Sequence, residues 1–339
     1  MNIYGIKRVD LENYFILKGD KKFKALQIFE WLYQKRVKSF FDMSNIKKEL
    51  QQELTNEFDI TMIKIQKKQE DNLTKKYLFK LIDDNYVEAV LMKHDYGLSV
   101  CVSSQVGCNM GCAFCESGRL KKVRNLEAYE MVQQILLIED DVKESISSVV
   151  IMGIGEPLDN YDNVINAIKI LNNQKGLSIG ARHISISTSG LVPKIYDLAN
   201  ENLQCTLSIS LHATTDEKRS ALMPVNNAYN LKELLTACKD YLAKTNRRIS
   251  FEYALAKDNN DNLNDAEELV KLLKGMLCHV NLIPINKIED GKFNKSTNEN
   301  IIKFRDYLNE HGIVATIRRE LGSDIDAACG QLRKKEVSK

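Results

Sequence analysis

The sequence predicts an α/β protein: an incomplete (β/α)6-type barrel, preceded by a small helical accessory domain and a β-hairpin linker. Three observations predict it. From Leu98 onward, strand-like apolar runs alternate with amphipathic stretches at helical spacing, the pattern of parallel βαβ units. Before about residue 60 the apolar periodicity is helical only. Three cysteines crowd the segment just after the first predicted barrel strand, and barrels carry their functional residues at the C-terminal ends of strands.

Composition sets the bounds. A chain of 339 residues can form one large domain and a small one, and 44% hydrophobic with 28% charged residues is the balance of a soluble globular protein. No apolar run approaches membrane-spanning length, and Met1-Asn2-Ile3-Tyr4-Gly5 lacks the signal-peptide pattern, so a cytoplasmic protein is expected. Eight cysteines in so long a chain do not make a secreted disulfide scaffold; clustered, they indicate a metal or catalytic role. With a net charge of only +2, any nucleic-acid footprint has to be local.

In chain order, residues 1–60 form the accessory domain. Apolar residues at helical spacing predict a helix over 23–33, and a second from Ser44, its candidate N-cap, through Leu54. Lys21, Lys22, Lys24, Lys35, Arg36, Lys38, Lys47 and Lys48 suit a solvated face or an RNA-backbone contact surface. Residues 61–97 form a linker and a hairpin, whose strands 77–81 and 86–92 flank the turn cluster Asp83-Asp84-Asn85. Glu88 lies on the second of these strands, where the ordinary expectation is the wet face.

The barrel occupies 98–320. Its strands are expected over 98–104, 148–153, 183–188, 206–212, 249–255 and 280–285, with 313–319 as one more candidate. Helices over 127–138, 163–172, 231–243 and 266–273 lie between them. Residues 321–339 form a C-terminal tail.

The chemistry centres on Cys108-Asn109-Met110-Gly111-Cys112-Ala113-Phe114-Cys115. A C-x3-C-x2-C loop is tight enough to point three sulfurs at one centre, and thiolates select iron–sulfur clusters or zinc. Three cysteines on a [4Fe–4S] cluster leave one iron open to a small chelating molecule. The other reading is a structural zinc, completed by Cys101 or a distant cysteine.

Other strand ends are polar as well. In Gly153-Ile154-Gly155-Glu156-Pro157 the glycines let the backbone approach a ligand, and Glu156 suits an ammonium; a plain turn with a surface Glu fits the same letters. Ser187-Thr188-Ser189-Gly190 and Ser210-Leu211-His212 end the next two strands, and together these ends converge on one pocket. His212 taken alone reads as a core histidine. Cys205, Cys238 and Cys278 match no motif and read as small buried hydrophobes.

These segments resemble the RlmN/Cfr radical S-adenosylmethionine (SAM) RNA methyltransferases over nearly the whole chain. The resemblance rests on Gln27-Ile28-Phe29-Glu30-Trp31-Leu32-Tyr33-Gln34-Lys35, on Cys101-Val102-Ser103-Ser104-Gln105-Val106-Gly107-Cys108 leading into the triplet, and on Arg124-Asn125-Leu126. It continues in Met152-Gly153-Ile154-Gly155-Glu156-Pro157-Leu158, Leu222-Met223-Pro224-Val225-Asn226 and Asn281-Leu282-Ile283-Pro284-Ile285-Asn286. It closes in Asp324-Ile325-Asp326-Ala327-Ala328-Cys329-Gly330-Gln331-Leu332, which with the Cys101 context is far more specific than the triplet. Gly155-Glu156-Pro157 and Phe251-Glu252-Tyr253-Ala254-Leu255 look closer to the RlmN type. Two departures stand out: Glu116-Ser117-Gly118 after Cys115, and Lys287 after Asn286 where the family usually has Pro.

The resemblance implies methylation of C2 of an adenosine in 23S rRNA, extending to tRNA, with Cfr-like C8 methylation or another radical SAM substrate as the alternatives. It implies one [4Fe–4S] cluster per chain on Cys108, Cys112 and Cys115, and two SAM molecules per turnover. Gly155, Glu156, Ser187, Ser210, Leu211, His212 and Asn286 match the SAM contacts. Adenine C2, between two ring nitrogens, is too electron-poor to attack a methyl group, so a radical route is needed. In the implied mechanism one SAM methylates Cys329. A 5′-deoxyadenosyl radical from the second takes a hydrogen from that methyl, and the methylene adds to the base. A base then removes the ring proton: Glu88 matches that role, and Cys101 is also a candidate. Cys101 finally releases the product by attack on the Cys329 sulfur, forming a disulfide. The implied partners are an electron donor such as flavodoxin or ferredoxin and no membrane, with the protein a monomer.

Overall fold

The computed structural model describes residues 1–285, 293–319, 321–322, 325, 327 and 331. Helices α1 (Arg8–Leu17), α2 (Phe23–Phe29) and α3 (Lys48–Glu57) turn Phe15, Ile28, Phe29 and Leu54 into one apolar core continuous with the barrel. The stretch read as one helix over 23–33 changes pitch within itself. α2 passes into a π-helical turn, Glu30–Gln34, closed by the Lys35 N–H on the Glu30 carbonyl at 3.0 Å. The helix expected from Ser44 starts later. Gln51 Nε2 donates to the Met43 and Ile46 carbonyls at 2.8 and 3.1 Å, holding a turn there, and Lys47 is the N-cap of α3.

Strands β1 (Lys64–Glu70), β2 (Thr74–Lys80), β3 (Tyr86–His94) and β4 (Gly97–Val102) form an antiparallel meander. β1 falls where only a linker was expected. It is a lysine-rich, largely exposed strand with a bulge, and such polarity protects a sheet edge while hiding it from hydrophobic patterning. The β2–β3 turn is the expected one, with Asp84 at φ 63°. Two short strands, β5 (Gln105–Val106) and β6 (Arg124–Asn125), pair across the base of the cysteine loop.

The alternation then runs α4 (Ala128–Val142), β7 (Ile146–Ile151), α5 (Tyr161–Leu171), β8 (Ile184–Thr188), α6 (Val192–Ala199), β9 (Thr206–Ser210), α7 (Asp216–Leu222), α8 (Leu231–Thr245), β10 (Ile249–Leu255), α9 (Leu263–Leu273), β11 (Cys278–Pro284), α10 (Asn298–Glu310) and β12 (Ala315–Ile317). The sheet order is β1-β2-β3-β4-β7-β8-β9-β10-β11-β12, and from β4 onward every pairing is parallel. The six predicted barrel strands are all present, and the stretch at 313–319 supplies β12. With β1 and β12 at opposite edges the sheet curves without closing in this order, and its meander edge stands beside the first barrel strand. No helix among the described residues is long and apolar enough to cross a membrane.

Candidate cofactor and substrate site

The cysteine loop leaves β4 and is pinned at several main-chain points. The Cys108 N–H donates to the Leu120 carbonyl at 2.9 Å, Cys115 to Cys112 at 3.2 Å, and Ala113 to Leu222, the last residue of α7, at 2.9 Å. Cys108, Cys112 and Cys115 line one pocket of about 150 Å³ together with Gly155, Glu156, Ser187, Ser210 and His212. Burial pushes the Cys108 thiol up to about 12, and the neighbouring Cys115, Glu156 and Asp159 add to the shift. Burial, then Cys115 and Cys108, raise Cys112 further. Such thiols ionise only against a bound cation, so the donor set fits a cluster whose iron offsets the three charges. Among the described residues no three His, Cys, Asp or Glu converge on a single ion-sized point. The expectation of three sulfurs at one centre thus becomes three sulfurs around one pocket. Cys101, the candidate fourth zinc ligand, lines the adjoining cavity instead.

Glu156 is not the surface residue that its letters also allowed. It is 3% exposed, its Oε1 accepts from the Leu158 N–H at 3.0 Å and its Oε2 from the Ser189 N–H at 2.7 Å. Burial pushes its carboxyl above the usual range, while these N–H groups and Thr188 pull it back. Gly155 has φ +111°, and a Cβ there would stand 2.6 Å from Gln105 Cβ; only glycine lets this segment pass. Gln105 in turn accepts the Glu156 N–H on Oε1 at 2.8 Å.

His212 sits in the left-handed region at φ 57°. Its Nδ1 accepts from the Ala254 N–H at 2.9 Å, which puts the ring proton of the neutral tautomer on Nε2. Burial, and secondarily the Arg219 charge, lowers its pKa to about 3. Its ring meets Phe114 of the cysteine loop edge-on at 4.7 Å. Ser187 and Ser210 line the pocket as expected. Leu211 turns its side chain into the core, and only its main chain reaches the site region. Asn286, Lys287 and Cys329 lie outside the described residues.

Two residues of the site escaped sequence reasoning. Arg219, on α7, is fully buried. It donates to the carbonyls of Ser189 at 2.6 Å, Ser210 at 3.0 Å and Leu211 at 3.2 Å, and to Asn226 Oδ1 at 3.0 Å, clamping the ends of β8 and β9 together behind the pocket. Nothing in Asp216-Glu217-Lys218-Arg219 distinguishes it from a solvated helix. Glu252, buried on β10 and lining the pocket, accepts from Asn281 Nδ2 at 2.8 Å. A lone acid inside an apolar strand was the signal available for it.

A second cavity of about 520 Å³ adjoins the first. The two share Cys115, Ser117, Met152, Gly153 and Ile283. Cys101 lines the larger one, on β4 opposite Val90 of β3. Glu88 departs from the wet-face expectation: it is 4% exposed, shares a face of β3 with Val90 and Met92, and forms an ion pair with Lys76 at 3.6 Å. The disulfide expected from the resemblance would pair Cys101 with Cys329, which lies outside the described residues; among the described residues no cysteine pair is bonded. Burial raises the thiols of Cys205, Cys238 and Cys278, the behaviour of buried hydrophobes.

The N-terminal cations divide. Arg36 is bound to Glu139, to the Leu136 carbonyl at 3.2 Å and to the Tyr33 carbonyl at 2.7 Å, and so fastens the N-terminal helices to α4. Lys35 is exposed, with its ammonium 3.6 Å from the Trp31 ring, and Lys38 is exposed.

Comparison with known proteins sets this geometry in context. Residues 1–60 match the family model described as the ribosomal RNA large subunit methyltransferase N-terminal domain, and residues 102–273 match the radical SAM superfamily. The chain is similar to the probable dual-specificity RNA methyltransferase RlmN of Staphylococcus aureus strain JH9, at 51% identity over 341 residues, covering 99% of this chain and 93% of that protein. The protein of the same description from strain Newman gives the same figures. Among solved structures, a radical SAM methyltransferase from Sphaerobacter thermophilus superposes with a TM-score of 0.92 at 40% identity, covering 98% of this chain and 99% of that one.

Proposed function

The chain belongs to the RlmN family of radical SAM methyltransferases, and from that premise we propose that it methylates C2 of an adenosine in 23S rRNA and acts on tRNA as well. The observation that carries the reading is the junction of two cavities. A pocket ringed by three cysteines and Glu156 adjoins, across Met152 and Gly153, a larger one lined by Cys101.

Bound by Cys108, Cys112 and Cys115, one [4Fe–4S] cluster per chain would supply the electron for reductive cleavage of SAM, two of which are used per turnover. Glu156 takes the ammonium of SAM, a charge that compensates a carboxylate otherwise costly to bury. Gly155 brings main chain to the pocket, Ser187 and Ser210 offer hydroxyls, and Leu211 offers main chain. His212 offers its Nε2–H, and Asn286 completes the set. Cys329 carries the methyl group and is the point of attachment to the base. Glu88 accepts the ring proton and Cys101 resolves the adduct; Cys101 faces the cavity directly, whereas Glu88 is held beside it by Lys76. The electron donor is flavodoxin or ferredoxin, and the protein works as a monomer.

The test is mass spectrometry of nucleosides from 23S rRNA and tRNA of a deletion strain, with and without the gene restored. 2-Methyladenosine should vanish and return. Return of 8-methyladenosine as the main product would move the reaction to C8, and no change in either RNA would overturn the RNA reading.

A further inference from the structure

The larger cavity reaches well beyond the chemistry. It runs from Gly153, past the C-terminal end of β7, to Ser148 in the first half of the same strand, five positions (153 − 148) or about 16 Å of extended chain. At that far end it is lined by Tyr96, on the turn before β4, and by Arg182, just before β8. A single target base at the Cys101 end leaves this length unfilled.

The far end carries a platform that the fold does not explain. Tyr96 is 75% exposed, an unusual position for a large aromatic at a cavity mouth. Its ring lies parallel to that of His94, with centroids 4.7 Å apart and planes 5° apart. His94 is itself anchored, with Nε2 2.9 Å from Ser99 Oγ. Burial, then the charges of Arg318 and Arg319, lowers its pKa and so favours its neutral ring. Arg182 and Arg319 line the same cavity. Stacked aromatic surface beside arginine is the combination that holds unpaired nucleotides: the ring takes a base face and the guanidinium a phosphate.

We propose that this end of the cavity is a second nucleotide subsite, in which Tyr96 stacks the base of an unpaired nucleotide neighbouring the target adenosine while Arg182 holds its phosphate. The proposal rests on the RNA reading above and adds to it a requirement for unpaired RNA beside the target. Recognition would then be by single-stranded shape at this point, since stacking accepts any base.

The probe is a short RNA hairpin with a loop adenosine and 2-aminopurine as its loop neighbour. Binding to the full chain should quench the 2-aminopurine fluorescence. Tyr96→Ala should abolish the quench and weaken binding about 5- to 150-fold, the loss expected for one stacked base. Tyr96→Trp should keep both. Arg182→Ala should weaken binding and reduce the salt slope by about 1. Because Tyr96 is exposed on a turn, its removal creates no core cavity, and thermal melting of each variant verifies the fold. If the wild type binds the hairpin and Tyr96→Ala binds and quenches equally well, the subsite is refuted while the RNA reading stands. If the wild type binds no RNA, both fall together.

Discussion

His212 shows how one residue can be fitted for two demands. The left-handed backbone turns its ring back to accept the Ala254 N–H, and burial keeps the ring neutral. A folded-state pKa of about 3 against an unfolded value near 6.5 means that the unfolded chain binds the extra proton between those values. The contribution is therefore intact above about pH 6.5 and is lost as pH falls toward 3. Between pH 7 and pH 5 this one group should cost about 2 kcal/mol. His212→Asn, which tolerates the same φ and can accept the same N–H, should lose that portion of the pH dependence in urea unfolding. Equal pH dependence in wild type and variant would mean that the folded ring takes up a proton. At this scale the sequence was legible where a residue type announces its chemistry. The cysteine triplet stands out as a local pattern, and Glu156 gains its meaning only beside the other polar strand ends. Arg219 did not stand out, because its partners are mostly main-chain carbonyls, which carry no residue-type signal in the sequence.

Among elements, the N-terminal cations separate a fastening role from the RNA-contact role that the sequence allows for the exposed ones. Arg36 is committed to α4, so Arg36→Ala should lower stability by about 2–3 kcal/mol in denaturant unfolding, whatever the RNA does. Lys35 and Lys38 are exposed, and a Lys35→Glu/Lys38→Glu double variant should keep most of its stability yet weaken RNA binding. Its salt dependence should flatten by about 1 for each phosphate that the variant no longer neutralises. An unchanged salt slope would return both lysines to a solvated face. The elements differed in legibility for a related reason. β10 was found with its observed bounds, Ile249–Leu255, because Ile249, Phe251, Tyr253 and Leu255, all fully buried, make an apolar run at the two-residue strand period. β1 was missed because an edge strand built from Lys64, Lys67 and Lys68 carries no such run.

For the whole molecule, the two remote cysteines make the sharpest demand. Cys101 and Cys329 are 228 positions apart (329 − 101), and the proposed reaction needs their sulfurs to meet. Cys101→Ala should accumulate protein crosslinked to RNA, seen as an RNase-sensitive upshift on a denaturing gel, and adding Cys329→Ala should abolish it. No adduct in the single variant, or one that persists in the double, would refute the assignment. What the sequence could not convey here is the larger cavity. Its walls come from β3, β4, β7, β11 and the residues before β8, and no local pattern links Tyr96 to Arg182.

The boundary between the two cavities has one further consequence. At Gly153 a Cβ would lie 2.7 Å from the main chain of Val102, so no side chain can be inserted on that side of the opening. A doorway framed there by peptide groups has no rotamers with which to widen or narrow. Its span on that side follows from the spacing of two hydrogen-bonded strands, β4 and β7, and changes only if a whole strand shifts. Side chains such as Met152 and Ile283 can still reshape the rest of the boundary, but its Gly153 side is as stiff as the sheet itself.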